Sequence, residues 1–154
     1  MKTRTLLPVF CLALGACMSP QGEMNALAEE RLSLAPEVAW YKYRNDLPLY
    51  DAPREATVLR ETQQLGRLRG ISEETTRRLF SVQMEASRRI QWEYFHAWRK
   101  GVAVPQTPPR DLRTDLRPRI DAINRRQVEL LARGAQPPDI AQLSEESVRF
   151  LPKN

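Results

Sequence analysis

Polar residues recur in this chain where helical spacing would turn them inward. Arg31 and Lys42 are eleven residues apart, or three helical turns plus about 20°. On a continuous helix they would share one face, beside Val38. Ser87 and Gln91 are four apart and share a face too, with Ile90, Tyr94 and Trp98 next to it. Asp51, Arg54 and Glu55 cluster where a second helix should start, and Arg117 begins a later one. Taken singly, each has an ordinary structural reading: a solvated arginine, a helix cap, a surface amide. Together they are a set of polar residues on faces that should point inward, and spacing alone does not make them a site.

Other site classes find less support. The one histidine, His96, sits among Trp92, Phe95 and Trp98, where a surface or core role fits better than a nucleophilic triad. The chain has two cysteines and no cysteine cluster, which argues against a zinc or other transition-metal site. No glycine-rich phosphate loop occurs.

The elements that must position these residues are helical. The chain has 154 residues, enough for one domain and too short for two separate cores. Hydrophobic residues make up 42% and charged residues 28%, an ordinary globular balance. Apolar residues recur at helical spacing almost throughout, and no segment alternates for long. Residues 21–44 form a first helix, with Leu27, Leu34, Val38 and Tyr41 on one side and Pro36 kinking it or opening a second segment. Asp51 or Ala52 caps a second helix running to about Arg69, with Gly70 after it. Ser72 caps a third, Glu73 to about Lys100, spanning roughly 40 Å. Pro105, Pro108 and Pro109 mark a linker. A fourth helix covers about Asp115 to Arg133, with Leu116, Ile120, Ile123, Leu130 and Leu131 as its apolar side. A short last helix covers about Asp139 to Phe150. The expected fold is all-α: an antiparallel bundle of four main helices, one of them long and central, plus a short C-terminal helix.

Residues 1–16 have the form of a signal peptide. Lys2 and Arg4 precede an apolar run from Leu6 to Leu14, and Gly15 and Ala16 supply the small residues that cleavage requires. The run is too short to span a bilayer as a mature helix. The expected location is the periplasm or the exterior, with residues 21–154 as the functional domain. Leu14-Gly15-Ala16-Cys17 also matches a bacterial lipobox, in which Cys17 is acylated and becomes residue one; ordinary cleavage after Ala16 is the alternative. Cys11 lies in the leader, so the mature chain has at most Cys17 and forms no internal disulfide. The net charge is +5; Lys2 and Arg4 account for two of these, leaving +3. That excess suits anionic partners without choosing among them.

The order Arg31, Lys42, Asp51-x-x-Arg54-Glu55, Ser87 and Gln91 resembles the all-helical chorismate mutases. The surrounding text is similar to their exported subclass: Arg31-Leu32, Val38-Ala39-x-x-Lys42, Pro48-x-x-Asp51-x-x-Arg54-Glu55-x-x-Val58-Leu59, and Phe80-x-x-Gln83-x-x-Ala86-Ser87-x-x-x-Gln91. The likeness covers about residues 25–133, in register without a gap from Arg31 to Gln91. Arg117-x-x-Ile120-x-x-Ile123-Asn124 extends it, with Arg113 and Arg119 as rival candidates for the arginine that completes the site. The resemblance implies the rearrangement of chorismate to prephenate, a unimolecular step needing no cofactor and no metal. It implies that Lys42 and Gln91 donate to the breaking ether oxygen. Arg31, Arg54 and Arg117 would hold the two carboxylates with help from Ser87; Glu55 would accept from the ring hydroxyl, and Asp51 would support that end. It also implies a homodimer, for which Trp40 or Tyr43 would be contact residues.

The main alternative is a non-catalytic helical lipoprotein that binds envelope partners through a basic surface; a purely structural bundle is another. Nucleic acid as a partner is disfavoured. The six arginines from Arg110 to Arg126 are interrupted by Asp111, Asp115 and Asp121, and export removes the chain from such ligands.

Overall fold

The computed structural model describes residues 18–139, together with 143, 148–150 and 152. The expected signal peptide, residues 1–16, and Cys17 lie outside these residues, as does most of the expected short C-terminal helix. Among the described residues the regular structure is helical. It comprises α1 (Pro20–Ser33), α2 (Ala35–Arg44), α3 (Ala52–Arg67), α4 (Glu73–Arg99), a π-helical turn (Leu112–Leu116) and α5 (Arg117–Ala132). None of the helices described is long and apolar enough to cross a membrane.

The first of the four expected helices is two. Pro36 has no N–H to offer the carbonyl of Leu32, so the ladder is interrupted there. The Leu34 N–H instead bonds back to Arg31 O at 3.4 Å, and Val38 N resumes the helix on Leu34 O at 3.0 Å. The chain bends without reversing, so Arg31 at the end of α1 and Lys42 near the end of α2 are both buried.

Capping sets the other boundaries. Asp51 accepts from Arg54 N at the start of α3, and Ser72 accepts from Thr75 N at the start of α4. Gly70 lies between them at φ +74°, a left-handed conformation that a side chain would strain. Gly66 serves a different purpose: a Cβ there would stand 2.5 Å from Thr76 Cγ2, so its bare backbone lets α3 and α4 approach closely.

α4 is the central element. It packs on α2 and α3, and α5 closes the bundle against α1 and α3. One core group joins Met24, Val58, Leu79, Phe80, Val128 and Leu130. A second joins Leu34 and Val38 to Leu112, Leu116 and Ile123, with Leu27, Tyr41 and Ile120 packed against it. That is the face read from the sequence for the first helix and the first half of the fourth; Leu130 and Leu131 of the fourth belong to the other group. Trp40 and Tyr43 are half-buried in a cluster with Phe95 and Trp98, and Trp40 Nε1 donates to Thr107 O at 2.9 Å. These two residues are therefore engaged within the chain.

Candidate active site

The entrance to α5 is what brings Arg117 to the site. Asp111 caps the π-helical turn, accepting from Arg113 N and Thr114 N at 2.7 and 2.9 Å, and Tyr41 OH donates to its other oxygen at 3.1 Å. Leu116 N reaches back five residues to Asp111 O, the wide spacing of a π turn. With Leu112 and Leu116 buried by this turn, Arg117 emerges at the first position of α5 and points to α3. Its Nη2 donates to Asp51 Oδ2 at 2.7 Å. The rival arginines lie elsewhere: Arg119 pairs with Glu30, and Arg113 is exposed beside the cap.

All eight side chains singled out in the sequence line one pocket between α2, α3, α4 and α5. It encloses about 690 Å³ including its open mouth, and Val38, Leu49, Val58, Met84, Leu112 and Ile120 add apolar walls. α1 and α2 supply Arg31 and Lys42; the start of α3 supplies Asp51, Arg54 and Glu55; α4 supplies Ser87 and Gln91.

Lys42 and Gln91 are joined directly. Lys42 Nζ donates to Gln91 Oε1 at 3.0 Å and to Leu49 O at 2.6 Å. An ammonium has three hydrogens, so one remains for a ligand. Gln91 Nε2 lies 3.2 Å from both Ser87 O and Ser87 Oγ, which places the serine hydroxyl on the glutamine. Burial lowers the Lys42 pKa; Asp51 opposes that shift and Arg117 adds to it.

The arginines are held from different sides. Arg31 is 6% exposed. Its Nε donates to Asn124 Oδ1 at 3.1 Å and its Nη1 to Gln83 O at 3.2 Å. Burial pulls its pKa down to about 10, with Asp121 opposing and the nearby Arg54 reinforcing the shift. Arg54 Nη2 pairs with Asp121. Glu55 faces Arg88 at 3.6 Å, and Arg88 also lies over the Tyr50 ring. Sequence reasoning missed Arg88, and it quoted Asn124 only as part of the α5 motif. Asp121 entered only as an interruption of positive charge. His96 is exposed and stacks on Trp92, away from the pocket.

A solvent-open helical pocket lined by the guanidinium forks of Arg31, Arg54 and Arg117, the Lys42–Gln91 pair and apolar side chains could hold a small organic anion. Residues 22–92 match the family profile described as chorismate mutase type II. The chain is 31% identical over 110 residues to a secreted chorismate mutase of Mycobacterium tuberculosis (strain ATCC 25618 / H37Rv), covering 71% of this chain and 55% of that protein. It is 30% identical over 132 residues to the monofunctional chorismate mutase of Enterobacter agglomerans, covering 84% and 69%. Among solved structures, the chorismate mutase from Burkholderia thailandensis superposes with a TM-score of 0.71 at 32% identity, covering 85% of this chain and 82% of that one. The chain belongs to the chorismate mutase family. It spans little more than half the length of the Mycobacterium relative.

Proposed function

We propose that this protein is a chorismate mutase, converting chorismate to prephenate within the pocket described. The observation that carries the reading is the buried Lys42–Gln91 hydrogen bond, in a pocket that Arg31, Arg54 and Arg117 also line. In this reaction the ether C–O bond breaks as a C–C bond forms in the same molecule. Nothing is added, so the protein needs to supply only shape and charge. Arg31, Arg54 and Arg117 hold the two carboxylates, since guanidinium forks fix them in orientation. This confines the enolpyruvyl arm over the ring, near the reactive geometry.

Lys42 gives its third hydrogen to the ether oxygen, and Gln91 turns an Nε2 hydrogen from Ser87 Oγ to the same atom. Charge grows there as the bond breaks, so these donors favour the transition state over the bound substrate. Glu55 accepts from the ring hydroxyl. Asp51 supports that end by holding Arg117, and Ser87 assists by taking up the hydrogen bonds that ligand entry rearranges.

Export belongs to the same proposal. The leader-like residues 1–16 and the relatives named as secreted support it. The lipobox-like Leu14-Gly15-Ala16-Cys17 supports acylation of Cys17, and family habit supports a homodimer. Incubating the purified protein with chorismate and following the loss of its ultraviolet absorbance tests the activity. Conversion to prephenate is the expected result; no conversion above background leaves the binding-module reading ahead.

A further inference from the structure

Two of the pocket's arginines are held from behind by one face of α5. Asp121 and Asn124 are three residues apart, so they lie one above the other on the helix surface. Asn124 Oδ1 accepts from Arg31 Nε, and an Asp121 carboxylate oxygen accepts from Arg54 Nη2. Neither acceptor lines the substrate pocket. Both open instead on a separate cleft between α3 and α5, walled by Val58, Thr62, Leu65 and Leu68.

We propose that Asp121 and Asn124 are positioning residues, a rear clamp that fixes the guanidiniums of Arg31 and Arg54 and balances their charge before substrate arrives. This rests on the mutase reading for what the arginines hold. Three features of the site support it. First, a guanidinium has five N–H donors in one plane, so a single fixed edge orients the rest. Arg31 spends Nε and one Nη1 hydrogen on Asn124 and Gln83 O, which leaves the remainder of the fork for a carboxylate. Second, Arg31 and Arg54 stand near enough to repel, and Asp121, more than Glu55, opposes this at Arg31 while pairing with Arg54. Third, the support is itself anchored. Gln83 and Gln127 are fully buried and exchange amide hydrogen bonds at 3.2 and 3.1 Å, tying α4 to α5 behind Arg31. Preorganised groups of this kind cost no reorientation during reaction, and a displacement of about 1 Å can cost a hundredfold.

A double-mutant cycle on kcat/KM for chorismate tests the clamp. Asp121→Ala should lower kcat/KM by about ten- to a hundredfold, and Asp121→Asn should lose less because its amide oxygen still accepts from Arg54. Asp121→Ala combined with Arg54→Ala should be no worse than Arg54→Ala alone, because Asp121 acts through Arg54. Losses that multiply, or Asp121→Asn as poor as Asp121→Ala with both folded, overturn the proposal. A second arm does not depend on turnover. The Arg31 Nε proton, followed by nitrogen-edited NMR, should be protected from exchange in the wild type and in Asn124→Asp, and lose protection in Asn124→Ala. Protection unchanged in Asn124→Ala overturns the clamp at Arg31. If the wild type leaves chorismate untouched, the mutase reading falls, and the NMR arm still judges the clamp.

Discussion

At the residue scale, the behaviour of the site follows from which donors are ionisable. Gln91 donates at any ordinary pH, so turnover should be nearly flat across neutral pH. Gln91→Glu replaces that donor with a group that must be protonated to donate. Turnover in this variant should therefore fall as pH rises, with acid pH restoring it. A flat profile for Gln91→Glu would place the ether-oxygen donor elsewhere. On the proposed reading Lys42 contributes to an alkaline limit, together with Arg31, whose pKa burial also lowers. The Lys42 pKa is lowered by burial, so kcat/KM should decline below the pH at which a free lysine titrates. The same shift has a sign in stability. Between the lowered folded value and about 10.5 the unfolded chain binds more protons than the folded one, so this group's contribution to stability rises with pH there. Urea unfolding should accordingly show wild-type stability gaining on Lys42→Met as pH rises through that window. A difference that shrinks would mean burial is not the dominant influence on Lys42. The eight pocket residues were legible because their spacings match a family pattern, even where no single one was distinctive. Asp121, Asn124 and Arg88 were not, because a residue that acts on another side chain from a distant helix leaves no local spacing to read.

At the scale of elements, one residue often serves a helix and the site together. Asp51 caps α3 with one oxygen and holds Arg117 with the other. Asp51→Asn keeps a cap-forming oxygen but loses the ion pair, so kcat/KM should fall while the melting temperature stays close to wild type. Asp51→Ala should lose both, with about 0.5–2 kcal/mol of stability going with the cap. Equal melting temperatures for the two variants would deny the cap any weight. Gly66 makes the opposite case, for packing without chemistry. Thr76 is fully buried with its hydroxyl bonded to Ser72 O and Glu73 O, so it cannot swing away from a new methyl group. Gly66→Ala should cost about 1–3 kcal/mol by overpacking and leave KM unchanged. Helix starts and stops were readable from Ser72, Gly70, Gly101 and Gly134, which have side chains or backbone freedom that mark an end. Pro36 warned of a break without saying whether it would kink one helix or open a second segment. The π turn before Arg117 had no such marker. It depends on Leu112 and Leu116 finding buried places against Leu34 and Val38, which only the assembled bundle provides.

At the scale of the whole molecule, one chain supplies all eight candidate site residues, Arg117 included. Specific activity should therefore hold constant on dilution through any dimer dissociation, measured alongside sedimentation. A loss that tracks dissociation would mean that a second chain completes the site. The bundle places charge economically: α5 holds Arg31 and Arg54 from behind while delivering Arg117 from its first turn, so one helix touches all three arginines. In sequence the linker before α5 left its register open, so Arg113 and Arg119 stood as rivals to Arg117; the family profile also ends before α5, at residue 92. On the proposed reading, a buried ammonium–amide pair stabilises the breaking ether bond of a clamped dianion. Comparing chorismate turnover in the wild type and in folded Lys42→Ala tests this most directly. The wild type should convert chorismate, and the variant should lose about 2–4 kcal/mol of transition-state stabilisation. Wild-type turnover retained by Lys42→Ala would contradict that reading.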